Sequence, residues 1–350
     1  MNKTILITGC SSGIGYDAAT HLKKIGWRVF ATCRKEDDCN RLKSEGLEAF
    51  LLDYEKSGTI DKVIEEITRT NGNRLDALFN NGAYALPGAV EDLTRDALRN
   101  IFEVNVFGHV ELINKSLPLL RNSPDGRVIN CSSVLGFVAL PYRGAYNATK
   151  FAIEAITDTL RREPTGKTIK FILLEPGPIR TKIRENSIPH FERWIDWKHS
   201  KLAEFYKKDL LHRLYQPNKK LDFFELEPKD VTKKLVAALT SRKPKERYYV
   251  TYPTHAANLP VAMIPNCAAT RHVHFKLTGA GPAELQPPKL EDWPQITWDA
   301  GKGARRVNLD TVTRAEVQQW QPGETLLLSG KMLTGRDAAH KRIRDLFEAG

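Results

Sequence analysis

The sequence of 350 residues lacks any long uninterrupted hydrophobic run. A membrane-spanning helix needs roughly 18 or more consecutive apolar residues, and no stretch approaches this length. The N-terminus offers only Ile5-Leu6-Ile7 before a polar turn, which is too short for the hydrophobic core of a signal peptide. We therefore expect no transmembrane segment and a cytoplasmic location.

Cysteine is scarce, and no two cysteines have the short spacing of a zinc site or a disulfide framework. The five residues are Cys10, Cys33, Cys39, Cys131 and Cys267. We expect no bound metal and a reducing compartment. The formal net charge of +11 comes from basic residues interleaved with acidic ones, so we predict solvated helix faces and no nucleic-acid partner.

Short apolar segments alternate with amphipathic ones through residues 1–252. This alternation predicts an α/β fold, a doubly wound, Rossmann-like parallel sheet with its ligand crevice at the carboxyl ends of the strands. Strands are predicted at residues 4–8, 27–32, 48–52, 75–79, 127–131, 169–174 and 248–251. Helices are predicted at residues 14–25, 59–70, 97–120 with a bend near Pro118, 145–162 and 228–240.

Two regions depart from this pattern. The charged and aromatic segment after Gly177 predicts a mobile helical flap. Residues 278–308 are rich in Gly, Pro and polar side chains, which is typical of a linker. We therefore predict a nucleotide-binding domain at residues 1–252 and an irregular C-terminal appendage at residues 253–350.

A glycine-rich turn, Thr8-Gly9-Cys10-Ser11-Ser12-Gly13-Ile14-Gly15, lies between the first predicted strand and the first predicted helix. Glycine permits a tight turn and a close approach of backbone to a pyrophosphate, and the N–H groups of a helix N-terminus bind phosphate oxygens. A purely structural turn is the alternative. The position after a strand and before a helix favours a dinucleotide site.

Tyr146 and Lys150 are four residues apart on a predicted helix, so their side chains share one face. We expect the ammonium group of Lys150 to lower the pKa of the phenol, which is about 10 in a free tyrosine. Ser133 lies just past the end of the preceding predicted strand, where its hydroxyl can bond a reacting oxygen. Ser132 is the rival for this role, and a solvated helix face is the alternative for the Tyr-Lys pair.

These motifs together resemble the short-chain dehydrogenase/reductase family, in its hydroxysteroid and retinol dehydrogenase-like branch, over residues 1–252. The matching residues are the glycine turn, Asp53, Asn80-Asn81-Gly82-Ala83, Asn105, Ser133, Tyr146, Lys150 and Pro176-Gly177-Pro178-Ile179-Arg180-Thr181. The family has Asn-Asn-Ala-Gly at the second of these positions, so the last two residues are exchanged here. The resemblance implies a Rossmann-like fold and frequent assembly as a homodimer or homotetramer.

The resemblance also implies roles for these residues. It places Gly9, Ser11, Gly13, Ile14 and Gly15 at the pyrophosphate, Asp53 at the adenine and Asn80 at the adenine ribose. It places Tyr146, Lys150, Pro176, Gly177, Ile179 and Thr181 at the cofactor as well. It implies Asn105, Ser133, Tyr146 and Lys150 as the catalytic set, with Asn105 anchoring a water chain behind Lys150.

The second strand is followed by Arg34-Lys35, with no carboxylate to accept a ribose 2'-hydroxyl. An arginine can hold a 2'-phosphate through two hydrogen bonds, so we predict NADP as the cofactor. If these are ordinary loop charges, NAD remains open.

We expect hydride transfer between the nicotinamide and a hydrophobic carbonyl compound or its alcohol, with Tyr146 as general acid or base. Steroids, retinoids and long-chain aldehydes or ketones fit an apolar crevice. The residues that would border it are Leu86, Leu135, Phe137, Val138, Leu140, Tyr142 and Ile183, and half of them are core residues in the alternative interpretation.

From about residue 253 the chain resembles a fragment of the class I iron-sulfur fumarases, through residues 259–272 and 323–340. The resemblance implies Cys267 as a cluster ligand and places Arg271, Arg336 and His340 near a dicarboxylate site. A cluster of this type needs three cysteine thiolates, and residues 251–350 contain one cysteine. An iron-sulfur hydro-lyase is therefore the disfavoured alternative. A non-catalytic nucleotide-binding protein is the third hypothesis.

A fragment without its partner strands buries too little apolar surface to offset chain entropy. We therefore predict that limited trypsin digestion of the intact chain cleaves residues 253–350 well before it cleaves residues 1–252. Mass spectrometry of the products over time measures this order. A C-terminal part that survives as long as the N-terminal part would contradict the prediction.

Overall fold

A computed structural model describes residues 2–215, 224–257, 274–276, 284–286, 305–308, 310–317, 319 and 326–329. The chain divides into two compact units, Met1–Val261 and Ala262–Gly350. Within the described residues, no helix is both long and apolar enough to cross a membrane. The predicted boundary after residue 252 falls within the first unit.

The first unit is built on a seven-stranded parallel sheet with the order β3-β2-β1-β4-β5-β6-β7. The strands are β1 Thr4–Ile7, β2 Arg28–Cys33, β3 Glu48–Leu51, β4 Ala77–Asn80, β5 Arg127–Cys131, β6 Lys170–Glu175 and β7 Arg247–Tyr249. Strands β1, β4 and β5 are buried at every residue, as expected for a parallel sheet covered on both faces. The structure confirms the predicted doubly wound sheet.

Helices cover the sheet on both faces and form the flap. They are α1 Gly13–Lys24, α2 Glu36–Ser44, α3 Ser57–Thr70, α4 Arg95–Phe102, α5 Gly108–Arg121, α6 Gly144–Arg162, α7 Ile183–Trp194, α8 Ala203–Phe205, α9 His212–Tyr215, α10 Pro228–Thr240 and α11 Tyr252–Ala257. One core cluster packs α1, α2 and α10 against the sheet, and a second packs α3 and α5 against the opposite face.

The structure differs from the sequence prediction in two helical regions. The single helix predicted at residues 97–120 is divided by a π-helical segment, Glu103–Phe107, while α5 continues through Pro118. Helix α2 was not predicted, because its sequence is highly polar and only Cys39 and Leu42 are buried. Two buried residues in nine give too weak a period to indicate a helix.

The described part of the second unit consists of short segments. Strands β8 His274–Lys276 and β9 Glu284–Gln286 pair antiparallel, whereas β10 Arg305–Asn308 and β11 Leu326–Ser329 pair parallel. A one-turn helix, α12, covers Arg314–Val317. Cys267, Arg271, Arg336 and His340 lie outside the described residues.

Adjacent parallel strands bring distant parts of the sequence to one edge of the sheet. The chain changes direction between β1 and β4, which are neighbours although two strands separate them in sequence. A crevice forms at such a switch point, at the carboxyl ends of the strands. The turns after β1, β4, β5 and β6 carry most of the candidate site residues.

Candidate active site

The glycine positions of the turn after β1 leave little or no room for a side chain. Gly9 and Gly13 have φ angles of +69° and +59°, in the region that favours glycine. A Cβ atom at Gly9 would lie 2.8 Å from the Cα atom of Gly82, and one at Gly15 would lie 2.3 Å from the Gly9 carbonyl oxygen. The turn therefore exposes backbone, and α1 begins at Gly13 without a side-chain cap from Ser12.

A cavity of about 670 Å³ opens beside this helix start. It is lined by Ser12, Gly13, Tyr16, Asp17, Arg180, Thr181, Lys182, Glu185, Glu227, Pro228 and Lys229. The methyl group of Thr181 contacts Gly13, where an added Cβ would come within 3.1 Å of it. Its charged lining is mixed, because three acidic side chains accompany three basic ones and Arg180 pairs with Glu227 at 2.7 Å. The start of α1, which has no side-chain cap, and the glycine cradle fit a pyrophosphate.

A buried hydrogen-bond network supports the turn from below. The hydroxyl of Tyr54 lies 2.9 Å from both Thr8 Oγ1 and Asn80 Oδ1. Thr8 Oγ1 accepts bonds from the backbone N–H groups of Asn81 and Gly82 at 2.9 and 3.0 Å. The network joins β1 to β4, and sequence reasoning missed Tyr54 because it does not stand in a recognisable spacing.

The exchanged pair Gly82-Ala83 keeps a glycine where the two turns meet. An added Cβ at Gly82 would lie 3.2 Å from the Tyr54 ring and 3.4 Å from the Gly9 nitrogen. The Gly82 carbonyl oxygen lies 2.6 Å from Nε2 of the buried His109. Burial holds the pKa of His109 near 3, and the charge of Lys150 acts in the same direction, so this imidazole is neutral.

Other candidate cofactor residues lie around the same edge of the sheet. Ser11 accepts a bond from Arg41 through its carbonyl oxygen at 2.7 Å, and Ile14 packs against the core. Asn80 is fully buried, with its Nδ2 donating to Asn130 Oδ1 at 3.3 Å. Asp53 caps its own turn by accepting from the N–H of Glu55, while Arg34 is exposed at the end of β2.

Tyr146, Lys150 and Ser133 come together where α6 crosses the end of β5. Lys150 is buried, and its Nζ atom donates to the Cys131 carbonyl oxygen at 2.7 Å. The same Nζ atom lies 5.5 Å from the centroid of the Tyr146 ring. Ser133 begins a short 3₁₀ turn, Val134–Gly136, and its hydroxyl accepts from the N–H of Leu135 at 3.2 Å.

The pKa of Tyr146 departs from the sequence expectation. Burial raises this pKa above its usual value, and the hydrogen bond with Ser133 and the charge of Arg143 only partly oppose the rise. Burial also lowers the pKa of Lys150. The expectation that Lys150 lowers the pKa of Tyr146 overall was wrong, because desolvation of a buried phenol outweighs the nearby charges.

Asn105 lies in the π-helical segment and is fully buried. Its Nδ2 atom donates to the Tyr84 carbonyl oxygen at 2.8 Å and to Thr149 Oγ1 at 3.2 Å, and its Oδ1 atom accepts from the Tyr84 N–H at 3.1 Å. Thr149 directly precedes Lys150 on α6. Asn105 thus joins the loop after β4 to the helix that carries Tyr146 and Lys150.

The segment after β6 faces the same edge. The Pro176 carbonyl oxygen accepts from the N–H of Val134 at 2.8 Å, next to Ser133. Gly177 has no space for a side chain, since a Cβ atom would lie 2.0 Å from Thr251 Oγ1. Ile179 pairs with Leu226 through an isolated bridge.

Residues of the flap and of the loop after β4 form an apolar cluster around Tyr146. Its buried members include Tyr84, Leu86, Tyr146, Phe191, Ile195, Tyr206, Leu210 and Leu214, with Leu135 and Tyr142 packed against them. Leu140 and Ile183 are exposed, and Phe137 and Val138 are half-buried. The predicted apolar residues thus divide between the cluster and the surface.

The cysteines of the first unit are free thiols buried in the core. Burial raises the pKa of Cys10 to about 12, so its thiol is neutral. Across the described residues, no group of three or more His, Cys, Asp or Glu side chains is arranged to hold a metal ion.

Two family models match the chain. The model described as short chain dehydrogenase matches residues 3–191. The model described as fumarase C-terminus matches residues 279–350. Both predicted resemblances are confirmed, and the second match begins later than the predicted start near residue 253.

Similar proteins cover most of the first unit. The chain is 36% identical over 265 residues to the uncharacterized oxidoreductase YbbO of Escherichia coli K12, covering 76% of this chain and 91% of that protein. It is 33% identical to retinol dehydrogenase 7 of Mus musculus, covering 75% and 85%. A solved short-chain dehydrogenase from Streptomyces avermitilis has a TM-score of 0.59 at 27% identity, covering 73% and 90%.

The glycine turn gives a prediction about stability. Gly9→Ala should lower the free energy of unfolding by about 2–3 kcal/mol, because it combines a left-handed backbone with overlap against Gly82. Gly26→Ala is the matched control, since Gly26 also has a positive φ but nothing lies within 4 Å of the added Cβ. It should cost about 1 kcal/mol. Urea unfolding measures both, and equal losses would contradict the steric account.

Proposed function

The chain belongs to the short-chain dehydrogenase family and is an NAD(P)-dependent oxidoreductase, and we propose that it uses NADP to interconvert a hydrophobic carbonyl compound and its alcohol. The observation that carries the proposal is the grouping of Tyr146, Lys150 and Ser133 at the edge of the sheet that holds the glycine cradle. When bound, the nicotinamide supplies or accepts the hydride.

The protein's own groups would handle the proton and the substrate oxygen. Tyr146 donates its phenolic proton to the carbonyl oxygen in reduction and takes it back in oxidation. Ser133, whose hydroxyl acts to lower the pKa of Tyr146, holds the same oxygen. Burial keeps the proton on Tyr146 at neutral pH, so the phenol is ready to act as the general acid in the reduction step.

Lys150 would act by charge and by position. Its ammonium group donates a hydrogen bond to the Cys131 carbonyl oxygen at the end of β5. This bond holds the ammonium 5.5 Å from the centroid of the Tyr146 ring. A fixed cation stabilises the phenolate that forms as the proton leaves. Asn105 supports this arrangement through Thr149, and it is a positioning residue in the proposal.

The cofactor residues would divide by location. Gly9, Gly13 and Gly15 present backbone to the pyrophosphate, with Ser11, Ile14, Ile179 and Thr181 around it. Pro176 and Gly177 lie beside the Ser133 turn, where the nicotinamide must approach Tyr146. Asp53 would lie at the adenine, and Asn80 would lie at the adenine ribose.

Arg34 supports NADP over NAD. It stands exposed at the end of β2, where the ribose 2'-phosphate of a Rossmann-like site binds. Its charge and that of Arg193 act on the flap residue His190, whose pKa burial and these charges lower to about 4. The positive charge of Arg34 itself favours a phosphorylated ribose at this position.

The flap cluster supports a hydrophobic substrate. Leu86, Tyr206 and Phe191 belong to the buried apolar cluster that includes Tyr146, so the surroundings of the reacting phenol are apolar. Steroids, retinoids and long-chain aldehydes or ketones are the proposed class. Iron-sulfur hydration of fumarate is not proposed, because Cys267 is the single cysteine of residues 251–350.

Tyr146→Phe should lower kcat by about 10²–10⁴ with NADPH and a hydrophobic aldehyde, since the proton donor is lost. NADPH affinity, measured by fluorescence titration, should change less than about threefold, because the ring remains. Tyr248→Phe is the control, since Tyr248 packs against the core cluster of α1, α2 and α10, which does not contain Tyr146. Activity retained in Tyr146→Phe would refute the catalytic assignment.

Arg34→Gln should weaken NADPH binding about tenfold, the usual loss for a charge-assisted bond, and leave NADH binding nearly unchanged. Arg121→Gln is the control, because Arg121 is exposed at the end of α5, at the opposite edge of the sheet. Dissociation constants for both nucleotides decide the matter. Equal losses for the two nucleotides would argue against a 2'-phosphate contact.

A further inference from the structure

A partly buried ion cluster lies one turn beyond Lys150, and the proposed chemistry does not use it. Arg247 of β7 donates to Glu175 Oε1 at 2.7 Å, to Asp158 Oδ2 at 2.6 Å and also to Glu154. We call these four residues the Arg247 cluster. The Glu175 side chain is fully buried, whereas 28% of the Arg247 side chain is exposed.

The cluster touches the backbone that holds Ser133. Glu175 is the last residue of β6, and its two neighbours bond to the two neighbours of Ser133. The Leu174 carbonyl oxygen accepts from the Ser132 N–H, and the Pro176 carbonyl oxygen accepts from the Val134 N–H, both at 2.8 Å. A shift of Glu175 would therefore move the Ser133 turn.

The cluster also touches the helix that carries Tyr146 and Lys150. Glu154 and Asp158 follow Lys150 on α6 at successive intervals of four residues. An added Cβ at Gly136 would lie 2.9 Å from Glu154 Cγ, so the turn after Ser133 packs directly on this carboxylate side chain. Arg247 thus bonds to α6 and to β6 within a short distance of the site.

We propose that Arg247 is a positioning residue, which holds the end of β6 and helix α6 at the separation that keeps Ser133 beside Tyr146. This proposal rests on the function proposed above, because it assigns the cluster to the geometry of that reaction. Ser133 is attached to β6 through backbone bonds, and Tyr146 belongs to α6. One guanidinium group bonded to both elements fixes their distance.

The charge of the cluster makes this role sensitive to pH. Glu175 Oε2 has no hydrogen-bond partner in the part of the chain that the structure describes. Burial, with the charge of Glu154, raises the pKa of Glu175 to about 7, and Arg247 opposes the rise. The charged and titratable groups that face the cluster are Lys150, Glu154, Asp158 and Arg161 of α6, with Arg247 and Tyr249 of β7.

The direction of this pH dependence follows from the raised pKa of Glu175. At pH values well below 7, Glu175 is neutral, and the two buried carboxyl groups that bond to Arg247 do not repel each other. As the pH rises through 7, Glu175 loses its proton, and repulsion between the carboxylates of Glu175 and Glu154 then acts across Arg247. The clamp is therefore complete well below pH 7 and weakens as the pH rises through 7.

The first test compares Arg247→Met and Arg247→Lys with Arg242→Met, an exposed arginine between α10 and β7. A misplacement of about 1 Å can cost about 10² in rate, so kcat should fall about tenfold or more in Arg247→Met and less in Arg247→Lys. KM should change less than about threefold, because the flap cluster is untouched. Arg242→Met should resemble the native enzyme.

Amide hydrogen exchange tests the same role without turnover. In both Arg247 variants, exchange at Ser132 and Val134 should accelerate about tenfold or more, because their acceptors lie on either side of Glu175. Exchange in β1 and β4 should stay as it is. Unchanged exchange at Ser132 and Val134 would overturn the proposal, whatever the catalytic result.

Glu175→Gln separates positioning from general stability, and it serves if Arg247→Met does not fold. The neutral amide resembles protonated Glu175, so the ratio of variant to native kcat should rise between pH 6 and pH 9. Arg242→Met should give a flat ratio. A flat ratio for Glu175→Gln would contradict the role of the proton. Loss of the proposed function shows separately, as activity retained in Tyr146→Phe.

Discussion

The site depends on one buried hydrogen bond, from the ammonium of Lys150 to the carbonyl oxygen of Cys131. Burying a charge is costly unless it is bonded, so this contact fixes α6 against the end of β5. Tyr146 lies one turn before Lys150, and Ser133 lies two residues after Cys131. Both positions therefore follow from the same contact.

The glycine cradle meets this cluster because the sheet is parallel. The turns after β1, β4, β5 and β6 end at one edge, so backbone from the start of the chain lies beside side chains from its middle. Close packing at Gly9, Gly15 and Gly82 leaves backbone where a pyrophosphate must approach. Family membership and local sterics thus favour the same crevice.

The sequence predicted the fold well where patterns are regular. Buried strands and helices such as α6 and α10 have clear apolar periods, and the spacing of Tyr146 and Lys150 follows from helix geometry. Helix α2 was missed because its sequence is highly polar. Tyr54 and Arg247 could not be predicted either, since their partners are distant in sequence and only the tertiary fold brings them together.

The pKa of Tyr146 shows a further limit of sequence reasoning. Spacing indicates that a cation is near, but it does not indicate how deeply the phenol is buried. Here burial raises the pKa of Tyr146 and keeps the proton on its phenol.

Transfer of deuterium from NADPH to a hydrophobic carbonyl compound tests directly whether the enzyme catalyses the proposed hydride transfer. NADPH carrying deuterium at the transferable C4 position would be incubated with the enzyme and a long-chain aldehyde, and the alcohol examined by mass spectrometry. Hydride transfer from C4 of NADPH predicts one deuterium on the carbinol carbon of each product molecule. An alcohol formed without deuterium, or bound NADPH that transfers none to any hydrophobic carbonyl compound, would contradict it.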